Sequence, residues 1–394
     1  MRRVGAALST VNAAGQGLLG PFRRAGERAA PPRREQGEDL RSRRRAAGSD
    51  VRPRVLMLAG PGLGWPERDD LVRRIRDDEL PDVLTAHLHA TPVDEAYLLA
   101  QPGRWGRLLR HVPMSLAQAL VALRERRNYE VVLTWNEPAT YILALLILLT
   151  RARMTHVSVH SWISKPKKAL PLRLLHRGIT RVVIPPPTQR QFALRVLRLP
   201  AHKIPAARWG VDLRFWRPRG DSTDVVSCVG REMRDYVTFV DAVRAIDVPC
   251  HIAAGAVRDV DNPWWKRFDG DVPANVTIGE RRGKDLRDLY ARSRFIVVPL
   301  LPSDTDNGIT TILESFAMGK PVICTRTQGQ VGVVEDGVNG LLVPAGSPHA
   351  LQSAILRLWN DPDECRRLGE NGRRFVEDNH SFDQWVSVLA VETV

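Results

Sequence analysis

The sequence contains few cysteines, and their positions exclude two common ways of stabilising a fold. Only four occur among 394 residues, at Cys228, Cys250, Cys324 and Cys365. They are far apart and form neither a C-x-x-C pair nor a Cys/His cluster with the spacing of a zinc site. So few and so scattered, they do not suit a disulfide framework either. We therefore expect a protein of a reducing compartment without a structural metal.

Long apolar segments are also missing. The longest uninterrupted apolar run, 141–149, has nine residues, whereas a membrane-spanning helix needs about 20. The first residues resemble the start of a secretion signal, but Ser9, Thr10 and Asn12 interrupt its apolar centre. These features predict a cytoplasmic protein, with peripheral contact to the inner face of an anionic membrane as a further hypothesis.

Acidic residues are outnumbered by basic ones, 44 against 58, which gives a net charge of +14. The segment 1–50 contributes eleven Arg and five acidic residues, and its lack of hydrophobic periodicity predicts a disordered basic tail. More than half of the net charge belongs to the rest of the chain. A protein that handles anions is therefore indicated, although charge alone does not choose between nucleotide diphosphates, lipid surfaces and nucleic acid.

Short apolar runs alternate with amphipathic segments along the remaining chain, which is long enough for two domains. This alternation predicts parallel sheets with helices on both faces. Strands are predicted at 54–59, 83–88, 131–135, 156–160, 181–185, 225–230, 250–254, 275–278, 295–300 and 321–324. Helices are predicted at 68–77, 115–127, 139–149, 284–293, 309–318, 348–360, 362–377 and 382–391, and another begins near residue 188.

Polar residues crowd the loop between the strand 295–300 and the helix 309–318. They are Ser303, Asp304, Thr305, Asp306, Asn307 and Gly308. The first turn of a helix has unpaired N–H groups and the positive end of the helix dipole, so it favours an anion. The amides of Gly308, Ile309 and Thr310, with the hydroxyl of Thr311, are candidate donors to a phosphate. Glu314 could accept hydrogen bonds from ribose hydroxyls.

The same loop has a plainer interpretation. Asp306 and Asn307 could cap the helix, and Glu314 could lie on a solvated helix face. From the residues alone, the two interpretations remain equally open.

The spacing of the two acidic residues, eight positions from Asp306 to Glu314, adds a resemblance. Together with the string ESFAMGKPV at 314–322, it resembles the donor-sugar motif of GT-B glycosyltransferases of family four. That family usually has Glu at the first acidic position, where this chain has Asp306. The segment 337–344, GVNGLLVP, is also similar to the family. The resemblance implies an α/β fold of two Rossmann-like domains facing a cleft, with a C-terminal helix that crosses back to the first domain.

The resemblance also implies residues that bind the diphosphate. The family has an Arg and then a Lys after the first strand of the second domain. Arg231 matches the Arg, and Arg234 takes the place of the Lys, which replaces a point-like ammonium with a forked guanidinium. Pairing of these arginines with Asp235 or Asp241 is the structural alternative.

On the side of the first domain, the resemblance implies that His160 lies beside the transferred sugar and that Gly62 and Gly64 line the cleft. The alternative for His160 is a side chain held by a neighbouring backbone group. The alternative for the two glycines is an ordinary strand-to-helix turn. The segment 210–218 is similar to the family's interdomain signature, with Trp209 where Asn is usual. We expect the hinge there.

These features predict four segments: a disordered tail at 1–50, an acceptor domain at 51–215, a nucleotide-sugar-binding domain at 216–377, and a C-terminal helix at 378–394. The predicted activity is the metal-independent transfer of a sugar, with retention, from a nucleotide diphosphate sugar to a glycan, lipid or small-molecule acceptor. No cofactor is expected. His160, Asp306, Arg231 and Arg234 are the predicted catalytic residues.

Two other functions remain open. A sugar-nucleotide epimerase of the same fold would also need paired carboxylates and a diphosphate site. The second function is that of a basic membrane- or nucleic-acid-binding protein with an inactive transferase fold. No stacking aromatic residues are interleaved with the basic runs, which argues against nucleic acid. The basic run that includes Lys165, Lys167 and Lys168 is most simply a solvated helix face, with an anionic acceptor or lipid head group as the other interpretation.

Overall fold

The structure, a computed structural model, describes residues 54–58, 73–81, 88, 90–220, 225–254 and 272–389. The predicted tail, the predicted strand at 83–88 except for its last residue, and the loop that contains Gly62 and Gly64 lie outside them.

The first domain is built on a five-stranded parallel sheet in the order β2-β1-β3-β4-β5. Its strands are β1 (Val55–Leu58), β2 (Thr91–Val93), β3 (Val131–Thr134), β4 (Thr155–Val159) and β5 (Arg181–Val183). Its helices are α1 (Glu95–Leu99), α2 (Gly103–Arg110), α3 (Met114–Glu125), α4 (Glu137–Thr150), α5 (Pro166–Leu175) and α6 (Pro187–Arg195). Short 3₁₀ helices follow at His176–Gly178 and Ala201–Lys203.

Both faces of this sheet are covered, as the continuous apolar strands predict. All four residues of β1 are buried. Leu56 and Leu58 pack into the core under α3 and α4. Val55 and Met57 face the opposite side, where they share a core with residues of the C-terminal helix.

The second domain is built on a six-stranded parallel sheet in the order β11-β10-β9-β6-β7-β8. Its strands are β6 (Val225–Val229), β7 (Cys250–Ala253), β8 (Val276–Ile278), β9 (Ser293–Val298), β10 (Val322–Thr325) and β11 (Gly340–Val343). Its helices are α7 (Tyr236–Val243), α8 (Gly283–Arg292), α9 (Ile309–Ala317), α10 (Pro348–Asn360) and α11 (Pro362–Asn379).

The last helix, α12 (Phe382–Leu389), returns to the first domain. Its buried face, formed by Trp385, Val386 and Leu389, packs on the sheet of that domain. The two chain segments that cross between the domains also pair with each other, since the N–H of Val211 donates to the carbonyl of His380 at 2.9 Å. The prediction of a C-terminal helix that crosses back is confirmed.

Three tryptophans join the crossing segment, α12 and the first sheet. The ring centroids of Trp209 and Trp385 are 5.1 Å apart, and those of Trp135 and Trp209 are 5.8 Å apart. Trp385 is only 4% exposed, so this helix is attached mainly by apolar and aromatic contacts.

We expect Trp385→Ala to lower the free energy of unfolding by about 3–5 kcal/mol, because it leaves a cavity at this junction. Urea unfolding followed by circular dichroism measures the change. Ser387→Ala, at an exposed position of the same helix, is the control and should change stability by less than about 0.5 kcal/mol. Equal effects of the two substitutions would contradict this account of the attachment.

Candidate active site

The second sheet reverses its strand order between β6 and β9. From β6 the chain moves outward in one direction through β7 and β8, and from β9 in the other direction through β10 and β11. In open α/β sheets, the carboxyl ends of the strands at such a switch point form a crevice that binds ligands. The predicted arginines follow β6 and the polar loop follows β9, so the fold brings these two stretches to one crevice.

Arg234 is the central side chain of this crevice. It is 6% exposed, and its guanidinium donates to the carbonyls of Val229 (2.9 Å) and Glu232 (2.8 Å) and to the Thr311 hydroxyl (3.1 Å). All three acceptors are neutral. Within the described part of the chain, no carboxylate forms an ion pair with Arg234. A buried cation without a counter-ion is costly, so the site suits an anionic ligand.

Gly308 brings the backbone of α9 up to this cation. It has φ +87°, and a Cβ at this position would lie 2.8 Å from Val298 Cγ1, 3.3 Å from Leu300 Cδ2 and 3.5 Å from Arg234 Nη1. Any larger residue would be strained by this φ and would press against Val298 and Leu300 at the strand end, with the guanidinium in van der Waals contact. The N-terminus of α9 therefore lies beside Arg234, and its dipole adds to the positive potential.

Glu314 lies one turn further along α9 than Thr310 and is half-buried. Its Oε2 accepts a hydrogen bond from the Tyr290 hydroxyl at 3.0 Å. Burial raises the pKa of Glu314 to about 7, although the Tyr290 hydrogen bond and the charge of Arg234 act to lower it. Tyr290 was not identified from the sequence, since nothing in α8 indicates that this residue reaches a carboxylate on another helix.

Asp306 is buried at the loop between β9 and α9. Its Oδ2 accepts a hydrogen bond at 2.9 Å from the indole N–H of Trp209, on the segment that links the domains. Burial raises the pKa of Asp306 to about 6, against the lowering effect of the Trp209 hydrogen bond. The sequence shows both unusual residues, the Trp and the Asp, but their contact appears only in three dimensions.

The same loop touches the first domain. The carbonyl of Asp304 accepts from the Thr188 hydroxyl and from Gln189 Nε2, both at 2.8 Å. The Thr305 hydroxyl donates to the carbonyl of Ser161 at 2.7 Å. The two walls of the cleft are therefore in contact along this loop, directly beside the end of β4.

His160 closes β4 as predicted, but its ring faces the interior. It is 1% exposed, Nε2 lies 3.1 Å from Ser158 Oγ, and the ring stacks on Tyr141. Nδ1 is buried without a hydrogen-bond partner among the described residues. Burial lowers the pKa of His160 to about 4; the charge of Glu137 acts against this and that of Lys168 adds to it. The imidazole is therefore neutral at pH 7.

The remaining predicted residues differ in their exposure to solvent and in their hydrogen bonds. Arg231 and Thr310 are exposed beside the crevice. The N–H of Ile309 already donates to a carbonyl of its own loop at 3.1 Å. The side-chain amide of Asn307 donates at 2.9 Å to a serine hydroxyl of the same loop. Ile309 and Asn307 thus shape the loop, whereas Arg231 and Thr310 are the members with exposed surface.

No group of three or more His, Cys, Asp or Glu residues that could hold a metal ion occurs in the described ranges. None of the described helices is long and apolar enough to cross a membrane.

The sequence of the second domain matches a known family. Residues 223–361 match the family model described as glycosyl transferases group 1. The second domain is therefore similar in sequence to the group 1 glycosyltransferases. Its crevice, with Arg234 and the N-terminus of α9, lies within the matched segment.

Curated proteins with similar sequences are also glycosyltransferases. An uncharacterized glycosyltransferase of Methanocaldococcus jannaschii is 30% identical over 142 residues, which is 35% of this chain and 38% of the relative. A lipopolysaccharide core biosynthesis glycosyltransferase of Rhizobium meliloti is 41% identical over 172 residues, or 42% of this chain and 49% of the relative. The matched segments thus cover less than half of either relative.

Solved structures extend the likeness to the fold of both domains. Sucrose-phosphate synthase from Thermosynechococcus elongatus has a TM-score of 0.65 at 17% identity, covering 86% of this chain and 97% of that one. Anabaena HepE in complex with UDP-glucose has a TM-score of 0.63 at 16% identity, covering 86% and 98%. The two domains together therefore form a GT-B fold, as predicted.

We expect Asp306→Asn to gain stability relative to wild type as the pH rises from about 4 to about 6. The pKa of Asp306 is raised from 3.8 to about 6 in the folded protein, so over this range the unfolded chain gives up the proton more readily and the wild type loses stability. The Asn side chain has no charge to bury and still offers an oxygen to Trp209.

Thermal unfolding midpoints across this pH range measure the difference. Asp304→Asn, in the same loop, is the control and should follow the wild-type curve. Parallel curves for Asp306→Asn and wild type would show that the Asp306 carboxyl is not held in an unfavourable environment.

Proposed function

We propose that the chain is a glycosyltransferase that moves a sugar from a nucleotide diphosphate sugar to an acceptor. The observation that carries this proposal is the buried Arg234 guanidinium, without a carboxylate partner in the described part of the chain, beside the N-terminus of α9. Such a pair of preorganised positive groups would hold the diphosphate and stabilise the charge that develops on it as it leaves. The exposed guanidinium of Arg231 would add to this field.

Glu314 would accept hydrogen bonds from the ribose hydroxyls, and Asp306 would contact the sugar. His160 would border the sugar from the first domain. Because Asp306 and His160 are both buried and the loop touches Ser161, the donor would enter after the two walls separate. Their renewed contact would then exclude water from the reacting carbon.

In the reaction, the bond between the anomeric carbon and the leaving phosphate oxygen breaks, and a bond from the same carbon to the acceptor oxygen forms. The acceptor proton passes to the departing phosphate, so no side chain has to act as the base. Retention of configuration and independence from metals are part of the proposal, and both rest on the family resemblance. Cytoplasmic location and an acceptor that is a glycan, a lipid or a small molecule are proposed on the same ground.

Calorimetric titration with UDP, GDP and ADP, with and without EDTA, tests the donor site. UDP is the first choice, because the structural neighbour from Anabaena was crystallised with UDP and with UDP-glucose. We expect one nucleotide to bind in the presence of EDTA. A donor assay that follows transfer or hydrolysis of the sugar then separates a transferase from an epimerase, which would return an isomerised sugar nucleotide. Failure of all three nucleotides to bind would refute the proposal.

Arg234→Gln should weaken binding of the preferred nucleotide by about 10- to 100-fold, since hydrogen bonds to a charged group contribute about 1.5–3 kcal/mol. Arg231→Gln is a second variant whose exposed position does not endanger folding, and it should weaken binding less. Arg374→Gln, on the exposed side of α11, is the control. Unchanged affinity in both Arg234→Gln and Arg231→Gln would remove these residues from the diphosphate site.

Nucleotide affinity should rise as the pH is raised through about 7, because the free site holds Glu314 with a pKa of about 7 and ribose hydroxyls favour the charged carboxylate. Binding should therefore release protons, which calorimetry in buffers of different ionisation enthalpy detects. Glu314→Gln should weaken binding and remove this part of the pH dependence. An identical pH dependence in the variant, arising from the nucleotide's own phosphate, would contradict the role of Glu314.

A further inference from the structure

The first domain has an exposed apolar surface that its core does not explain. On α4, Leu145, Leu148 and Leu149 are 43%, 39% and 71% exposed, and on α5, Leu170 and Leu174 are 59% and 64% exposed. We call these five residues the leucine face. Their spacings of three and four residues place them on one side of each helix. The opposite side of α4, with Leu143 and Ala144, is buried.

The two helices are neighbours, so their exposed leucines belong to adjoining surfaces. The hydroxyl of Tyr141, on α4, donates to the carbonyl of Lys168, on α5, at 3.0 Å. The Lys168 ammonium lies 2.6 Å from Glu137 Oε1. Lys168, which the basic run at 165–168 offered as a contact for an anionic partner, is therefore occupied within the domain, whereas Lys167 is exposed.

Positive charge surrounds the leucine face. Between residues 138 and 211 the sequence contains thirteen Lys and Arg and no Asp or Glu. The exposed cations on α5 and next to the two helices are Arg151, Arg153, Lys167, Arg173 and Arg177. Exposed leucines bordered by cations are the combination that binds the surface of an anionic membrane, with the apolar groups in the acyl boundary and the cations at the head groups.

We propose that the leucine face docks the first domain on an anionic lipid membrane. A second copy of the chain is a poorer occupant, because a symmetric contact through this face would bring two sets of these cations together. Nucleic acid would use the cations but would leave the leucines in water. The proposal does not depend on the donor site, since none of its residues belongs to that crevice.

The two helices of the leucine face begin at the cleft edge of the first sheet. Helix α5 begins at Pro166, a few residues after Ser161, whose carbonyl accepts the hydrogen bond from Thr305 across the cleft. The Lys165 ammonium lies 3.6 Å from the centre of the Trp162 ring between these points. Because β3, β4 and β5 are parallel, α4 and α5 run back from this edge, so Leu149 and Leu174, near the C-terminal ends of these helices, lie toward the opposite edge of the sheet.

Vesicle flotation of the full chain tests the proposal. The probes are vesicles of phosphatidylcholine alone and of equimolar phosphatidylcholine and phosphatidylglycerol. We expect the wild type to prefer the anionic vesicles by at least about tenfold, with binding that falls as salt is raised. The double variant Leu149→Gln, Leu174→Gln should lose at least about tenfold in affinity, because two inserted leucines leave the bilayer. Arg173→Gln, Arg177→Gln should bind about tenfold more weakly and with a smaller salt effect.

The matched control is Leu108→Gln, since Leu108 on α2 is 49% exposed but lies outside the leucine face. It should bind like wild type. Three results would overturn the proposal. The first is equal binding to both kinds of vesicle, and the second is binding that neither double variant weakens, which would assign the binding to the arginine-rich segment 1–50. The third is a dimer in light scattering that the leucine variant converts to a monomer. Nucleotide affinity measured in the same variants should be unchanged, so a failed donor site and a failed membrane face give different patterns.

Discussion

The crevice of the second domain is arranged around the buried positive charge of Arg234. Arg234 is held by carbonyl and hydroxyl oxygens, and no carboxylate of the described residues forms an ion pair with it. Its neighbours make room for it: a Cβ at Gly230, which has φ +109°, would lie 2.4 Å from the guanidinium, and Gly308 approaches it from the other strand. A protein interior tolerates such a charge when an anion completes the site. In the function proposed above, this anion is the diphosphate of the nucleotide.

The two domains meet at the loop that precedes α9. Hydrogen bonds from Thr188, Gln189 and Thr305 connect this loop with the first domain, and Trp209 ties Asp306 to the segment between the domains. The domains also meet at Asp78, which pairs with Arg217 at 3.3 Å and with Arg287 at 2.8 Å, so these contacts are polar, in contrast to the apolar attachment of α12. Separation of the walls would therefore break hydrogen bonds and ion pairs but leave the cores of both domains intact, which suits a cleft that opens for a ligand.

Much of the fold could be predicted because most strands are short, continuous apolar runs and most helices carry a clear periodicity. The strand at 295–300 and the helix at 309–318 were predicted to within two residues. The short helices α1 and α2 and the short strands β2 and β11 were missed, since their stability depends on packing and not on a local pattern. The coordinates place Arg234 beside Gly308, whereas the ring of His160 faces inward and Lys168 is paired with Glu137.

The sequence by itself determined the alternation of strands and helices, the positions of the glycines and cations at strand ends, and the motif that resembles family four. These are local properties, readable from residue type and spacing. Only the tertiary structure decided that Tyr290 donates to Glu314, that Trp209 donates to Asp306, and that the leucines of α4 and α5 remain exposed beside their cations. Each of these depends on which distant segments the packing brings together, and spacing along the chain carries no information about that.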